Sequence, residues 1–208
     1  MRIFVVGGSK GVGRQVVEKA VAAGHQVTLM ARRPRAEGTD ALEGVDVVAG
    51  DATQPQPVHD ALDGHDAVVI ALGGALSDRS TRSIATANVL GGMARHGVER
   101  VVAVSSVGAG DSLRRLGFAG KAIVKTLLRN AIKDHEAQEA ALSNSDRRWT
   151  IVRPAGLTDD PTDHMVIDDH HSPLSARKRV SRAGVADVVL EALQRDDWTG
   201  KAVHVLGA

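Results

Sequence analysis

Four glycines fall within seven residues in Gly7-Gly8-Ser9-Lys10-Gly11-Val12-Gly13, between the apolar run Ile3-Phe4-Val5-Val6 and an amphipathic segment from Gln15 to Ala23. A nucleotide-binding βα unit needs this order of apolar strand, glycine turn and helix. The helix N-terminus collects unpaired N–H groups and a partial positive charge that attract a pyrophosphate. Glycine lets the turn tighten and lets the backbone approach the phosphates. The spacing Gly7-x-x-x-Gly11-x-Gly13 is wider than G-x-G-x-x-G, and a glycine string alone is weak evidence. Its place between a β-run and a helix gives it weight, and points to Gly7, Ser9, Lys10, Gly11, Val12 and Gly13 as a nucleotide cradle.

A second chemical signal closes the next β-run, Gln26 to Met30, which ends in Ala31-Arg32-Arg33-Pro34-Arg35. In a dinucleotide-binding sheet this strand end meets the adenosine ribose. An acid there holds the 2′-hydroxyl of NAD, whereas arginines suit the 2′-phosphate of NADP. No acid stands at this strand end, so Arg32 and Arg33 favour NADP (NADPH), with a solvated basic turn as the plain alternative. After the third run, Val45 to Ala49, comes Gly50-Asp51-Ala52, where Asp51 suits either an adenine amino group or the capping of a turn.

These residues must be carried by alternating strands and helices. Further strands are expected at Asp66–Ala71, Arg100–Val104, Trp149–Arg153 and Ala202–Leu206. Helical spacing covers Pro55–Leu62, Ser80–His96, Lys121–Leu142 and Ala183–Arg195, with a glycine-rich loop over Gly108–Gly120. The run Asp66-Ala67-Val68-Val69-Ile70-Ala71 is apolar without alternation, as in a parallel strand buried on both faces. It ends in Leu72-Gly73-Gly74, a second glycine pair where an open sheet receives ligands. The expected fold class is α/β, a doubly wound parallel sheet forming a single domain over 1–208. Residues 155–179, irregular and rich in Asp and His, are expected to cover the substrate side as a lid.

Composition narrows the remaining classes. The chain has 208 residues, a formal net charge of +1 and no cysteine, which excludes disulfides, thiolate catalysis and Cys-ligated metals. Balanced charge gives no drive toward nucleic acid or a membrane surface. No apolar run is long enough for a membrane span, and the first residues enter a β-run rather than a signal segment. The expected setting is cytoplasmic. The acids and histidines Asp159, Asp160, Asp163, His164, Asp168, Asp169, His170 and His171 match no zinc spacing, so no metal is expected.

The ordered set of pieces resembles the atypical short-chain dehydrogenase/reductases, the NAD(P)-binding group that includes NmrA-like proteins and biliverdin-IXβ (flavin) reductase. The pieces are the glycine turn, Ala31-Arg32-Arg33, Gly50-Asp51, Asp66-Ala67-Val68-Val69, NVLGGMARHGVERVVAVSS over Asn88–Ser106, WTIVRPAG over Trp149–Gly156, and the tail from Val180 to Val205. The resemblance covers nearly the whole chain and implies a Rossmann-like fold. It implies cofactor contacts at Gly7, Ser9 to Gly13, Arg32, Arg33, Asp51, Ala52 and Leu72 to Gly74. Pro154 and Ala155 would lie near the nicotinamide. Lys10 replaces the middle glycine common in this group and gives the turn the spacing of the Tyr-dependent enzymes, where a basic residue often accompanies NADP.

Those enzymes work through Tyr-x-x-x-Lys, and this chain contains no tyrosine. By the resemblance, Ala131 falls at the tyrosine position and His135 at the lysine position. His135 then stands as a ribose contact or proton donor, with Glu139 one turn on to orient it, or as an ordinary helix residue. Ser105 and Ser106 lie where the family places a serine that bonds the substrate or the nicotinamide amide; alternatively they satisfy backbone groups. Ala155 replaces the histidine that the flavin-reductase branch carries after this proline. Arg114 and Arg115 could draw in an anionic substrate. Hydride transfer is cofactor chemistry, and the acceptor's proton can come from water. The expected activity is NADPH-dependent reduction of a small carbonyl, quinone or flavin-like acceptor by a monomer or homodimer. The rival reading is an NADP-binding redox sensor that signals to a protein partner without turnover.

Overall fold

The computed structural model describes residues 1–34, 39, 42–73, 80–167, 171–175 and 178–208. An eight-stranded sheet forms the middle layer, with strands β1 (Arg2–Val6), β2 (Gln26–Ala31), β3 (Val45–Ala49), β4 (Ala67–Ile70), β5 (Arg100–Val104), β6 (Arg148–Pro154), β8 (His164–Ile167) and β10 (Lys201–Gly207). Their order is β3-β2-β1-β4-β5-β6-β10-β8. Strand β1 pairs in parallel with both β2 (Val6↔Met30) and β4 (Val6↔Ile70). The chain therefore winds outward in both directions from β1. Connections of opposite sense leave a crevice beside its C-terminal end.

Helices cover both faces, which is why the central strands are apolar without alternation. On one face α1 (Gly11–Ala22) and α7 (Arg182–Gln194) pack together. Val16, Val17 and Ala20 of α1 share a core there with Val185, Val188 and Val189 of α7. On the other face α2 (Pro55–Ala61), α3 (Thr81–His96) and α6 (Arg129–Ser143) bury Val58, Ala85, Val89, Met93 and Leu142 against Phe4, Val68 and Ile151. Buried Arg100 reaches across from β5 and donates to the carbonyls of Arg148 and Ala192. The second of these lies in the last turn of α7 and also accepts the Arg195 N–H at 3.3 Å.

The structure departs from the sequence expectation in three places. The expected long helix over Lys121–Leu142 is two helices, α5 (Phe118–Thr126) and α6, after a short α4 (Ser112–Arg115) inside the expected loop. The break falls at Leu127-Leu128, where both backbone N–H groups turn back to the Ile123 carbonyl. Val124, Leu128 and Ile132 keep four-residue spacing across it and share one apolar cluster, so the periodicity runs on through the break. The sheet is also not wholly parallel, because β8 pairs antiparallel with β10 (Met165↔Leu206). Finally, the segment read as irregular contains β8 and a short β7 (Leu157–Thr158), which pairs in parallel with β9 (Val180–Ser181).

Candidate active site cleft

A cleft of about 1170 Å³ follows the C-terminal ends of β1, β2, β4, β5 and β6. One end is formed by Gly7, Ser9, Lys10, Gly11 and Val12, with Arg32, Asp51, Ala52 and Thr53 to the β2–β3 side. The middle is lined by Leu72, Gly73 and Arg82, and the far end by Ser105, Ser106, His135, Pro154, Ala155 and Leu157. Arg182 lies at the lip. At the glycine end, Lys10 N-caps α1 through its backbone alone, with no side-chain cap and no acid in the first turn. The first N–H groups of the helix are therefore left for an anion. Asp51 spends one carboxylate oxygen on Thr53, accepting from its N–H at 2.9 Å and its hydroxyl at 2.8 Å. The Thr53 N–H, the Thr53 hydroxyl and the nearby Arg32 charge hold Asp51 below the usual carboxylate range despite its partial burial.

The far end rests on a buried ionic cluster. Ser105 Oγ donates to Glu139 Oε1 at 2.5 Å. Arg153 grips the same carboxylate with both edges of its fork, Nε to Oε1 at 2.9 Å and Nη2 to Oε2 at 2.7 Å, and reaches Asp111 at 2.6 Å through Nη1. Ser105, Glu139 and Arg153 are all buried. This geometry corrects the expected role of Glu139, which orients Ser105 and not His135. A hydroxyl has one proton, and Ser105 gives it to a charge-paired carboxylate. It therefore offers the cleft only oxygen lone pairs.

His135 is bonded to Gln138 instead, Nδ1 to Oε1 at 3.4 Å. An amide oxygen only accepts, so Nδ1 carries the proton and Nε2 is a bare acceptor in the neutral ring. Burial, and then the Arg82 charge, pushes the imidazole down to about 4. Arg82 is itself buried, donating through Nε to the Leu72 carbonyl at 3.1 Å and through Nη1 to Asp134 at 3.3 Å. Asp134 also accepts the N–H groups of Arg82 and Ser83, capping α3 from α6. Burial alone would raise its pKa, but these bonds outweigh it and hold the carboxyl low.

A second ring, His204, is buried below the cluster, with Nδ1 facing the Ile167 carbonyl and Nε2 facing Arg153. Burial and the Arg153 charge push it down to about 4 as well. Both rings titrate near 6.5 when unfolded. Between about pH 6.5 and 4 the unfolded chain binds protons that the native chain does not, so stability falls as pH falls through that window. The limit is on the order of 3 kcal/mol per ring. Urea unfolding at about pH 7 and about pH 4.5 should show this loss, and His135→Gln should reduce it by roughly half. An undiminished loss in that variant would remove His135 as a source.

Of the residues singled out in the sequence, Gly7, Ser9, Lys10, Gly11, Val12, Arg32, Asp51, Ala52, Leu72, Gly73, Ser105, Ser106, His135, Pro154 and Ala155 line one cleft. Gly13 and Arg33 do not. Gly13 is buried against the turn, and Arg33 is exposed on the surface. Gly74 and Arg35 lie outside the described residues, as do Asp168, Asp169 and His170. Ser106 Oγ also donates to the Val107 carbonyl at 3.2 Å. Arg115 is tied to the Ser172 carbonyl and Arg114 is exposed, and neither lines the cleft. Among the described residues no group of acids and histidines could hold a metal ion, and no helix is long and apolar enough to cross a membrane.

Sequence reasoning missed Arg82 and Arg182. Both stand in the first turn of a helix that follows the sheet's C-terminal edge, α3 and α7 respectively. The helix dipole disfavours a cation there, and that mismatch was the available signal.

Comparison with known proteins agrees with this architecture. A family model described as NAD(P)H-binding matches residues 7–196. ChuY, an anaerobillin reductase from Escherichia coli O157:H7, superposes with a TM-score of 0.83 at 25% identity, over 100% of this chain and 97% of that one. A short-chain dehydrogenase/reductase from Veillonella parvula in complex with NADP gives a TM-score of 0.81 at 20% identity, covering 98% of this chain and 93% of that one. An uncharacterized chloroplastic protein of Arabidopsis thaliana is 24% identical over 99% of this chain and 76% of its own length. The cleft at the strand ends, the glycine turn and the matching model together place the chain in the NAD(P)H-binding family, within the short-chain dehydrogenase/reductase-like folds.

Proposed function

We propose that the protein is an NADPH-dependent reductase of a small acceptor that takes its proton from water. The carrying observation is the single cleft running from the glycine turn and Arg32 to Ser105, His135 and Ala155. The residues present fit a dinucleotide. The turn is drawn so tight that a Cβ on Gly13 would lie 2.2 Å from the Gly7 carbonyl oxygen, and the open N-terminus of α1 faces the same end. The turn would hold the pyrophosphate, Asp51 and Ala52 the adenine side, and Arg32 the 2′-phosphate. Arg32 takes precedence over Arg33 because only Arg32 lines the cleft. The Veillonella relative described as an NADP complex supports this choice, and the reductase activity of ChuY supports the reaction class.

The cofactor would supply a hydride. Ser105 and His135 would position the nicotinamide side as hydrogen-bond acceptors, from a ribose hydroxyl or a carboxamide N–H. Neither suits proton donation at neutral pH. The Ser105 proton is held by Glu139, and His135 is uncharged well above its pKa of about 4. Leu157 and Ala155, on the segment read as a lid, would exclude bulk water from one side of the acceptor.

The same acceptor-only wall favours a second reading, an NADP-binding sensor that passes its state to a protein partner without turnover. Calorimetric titration with NADPH and NADH, followed by NADPH oxidation with FMN and with a simple quinone, separates the two. Binding with turnover on either acceptor is the expected result. Binding without turnover selects the sensor, and no binding of either dinucleotide overturns both readings. Arg32→Ala should lower the NADPH over NADH preference by about tenfold or more, the worth of a charge-assisted contact to phosphate. An unchanged preference would remove Arg32 from the 2′-phosphate site.

A further inference from the structure

Arg182 is unexplained by the fold. It is the first residue of α7, where the dipole disfavours a cation. The helix does not need it for capping, because Ser181 Oγ accepts the Gly184 N–H at 3.0 Å. Its side chain crosses from α7 to the glycine turn of α1 and lines the cleft. Among the described residues, a Cβ on Gly11 would meet Arg182 alone, Nε at 3.7 Å and Cδ at 3.8 Å. Gly11 is also where the α1 N-terminus opens. One guanidinium thus lies over the anion-seeking end of another helix, a position that makes sense for two positive fields converging on one anion.

Its observed partner is Asp159, Nη1 to Oδ1 at 2.7 Å. Asp159 belongs to the segment after β7, and its side chain is 87% exposed. Such a solvent-facing ion pair is weak and easily exchanged. A phosphate at the turn would offer Arg182 more charge and a matching planar fork.

We propose that Arg182 is a clamp for the diphosphate of the dinucleotide, and that Asp159 is the counter-ion it leaves when the phosphate arrives. This inference rests on the dinucleotide reading above. Because the phosphate and the Asp159 carboxylate compete for one cation, Asp159 opposes cofactor binding. Arg32 and Arg182 then serve different phosphates, the 2′-phosphate and the diphosphate respectively.

The test is a double-variant cycle on NADPH affinity, measured by calorimetry with urea unfolding as the folding control. Arg182→Ala should weaken NADPH about tenfold or more, the worth of a lost charge-assisted contact. Asp159→Asn should tighten it, and should have no effect once Arg182 is alanine. Competition with adenosine 2′-monophosphate, which lacks the diphosphate, should be insensitive to Arg182→Ala. The proposal is overturned if Arg182→Ala binds NADPH as wild type does, if Asp159→Asn weakens binding or leaves it unchanged, or if the 2′-monophosphate loses affinity equally. Wild-type protein that binds no NADPH would overturn the cofactor reading itself, a result distinct from any of these.

Discussion

A Gly13→Ala protein should lose NADPH binding by about a hundredfold or more, with stability reduced by about 2–3 kcal/mol from overpacking. The added methyl would lie 2.2 Å from the Gly7 carbonyl oxygen and 2.8 Å from its carbon. Both obstacles are backbone, so neither can rotate away. Gly7 itself sits at φ +89 with the Ala71 carbonyl 2.7 Å from where its Cβ would be, so the turn cannot retreat in that direction. The methyl therefore opens the turn, and the N–H groups that should converge on a phosphate diverge. Gly11→Ala is the informative contrast. Its Cβ has room, and its φ of +59 costs an alanine only about 1–2 kcal/mol. Calorimetry and urea unfolding on both variants check the argument. Wild-type affinity in Gly13→Ala would mean that the turn does not hold the cofactor.

Glu139→Leu should be the most destabilising substitution at the cleft, by about 3–5 kcal/mol. It strips the buried Arg153 of a bidentate partner and leaves it, among the described residues, one ion pair, to the half-exposed Asp111. It also leaves the buried Ser105 hydroxyl without its acceptor. Replacing both charges, in Glu139→Leu with Arg153→Met, should recover much of the loss, because an apolar pair of similar volume needs no compensation. Urea unfolding of the two singles and the double gives the coupling directly. A single-variant cost under about 1 kcal/mol would show that the cluster is solvated in solution and does not set the Ser105 proton. The same series has a functional readout. With Glu139 gone, Ser105 is free to donate, so a carbonyl-type acceptor should gain relative to one bearing its own N–H.

Much of this molecule is local, and local features were legible in the sequence. The glycine turn declares itself because strand, turn and helix are contiguous. The buried strands declare themselves because a parallel sheet covered on both faces requires apolar residues without alternation, as in Ala67-Val68-Val69-Ile70. Arg32, Asp51, Leu72, Ser105 and Ala155 could be drawn together because each ends a strand or follows one closely, and all such ends share one edge of the sheet.

What those residues face was set by contacts between elements far apart in the chain. The partner of Glu139 is one turn away for His135 but lies on other elements for Ser105 and Arg153, and hydrogen-bond geometry, not spacing, chose the latter. The break between α5 and α6 carries no glycine or proline and preserves the apolar repeat of Val124, Leu128 and Ile132, so nothing in the local sequence marks it. The antiparallel β8 depends on an edge that exists only once β10 is in place. Arg82 and Arg182 reach the cleft through side chains long enough to leave their own helices. The sequence determines where a helix begins, whereas the packing of one helix against another decides which charge arrives at its end.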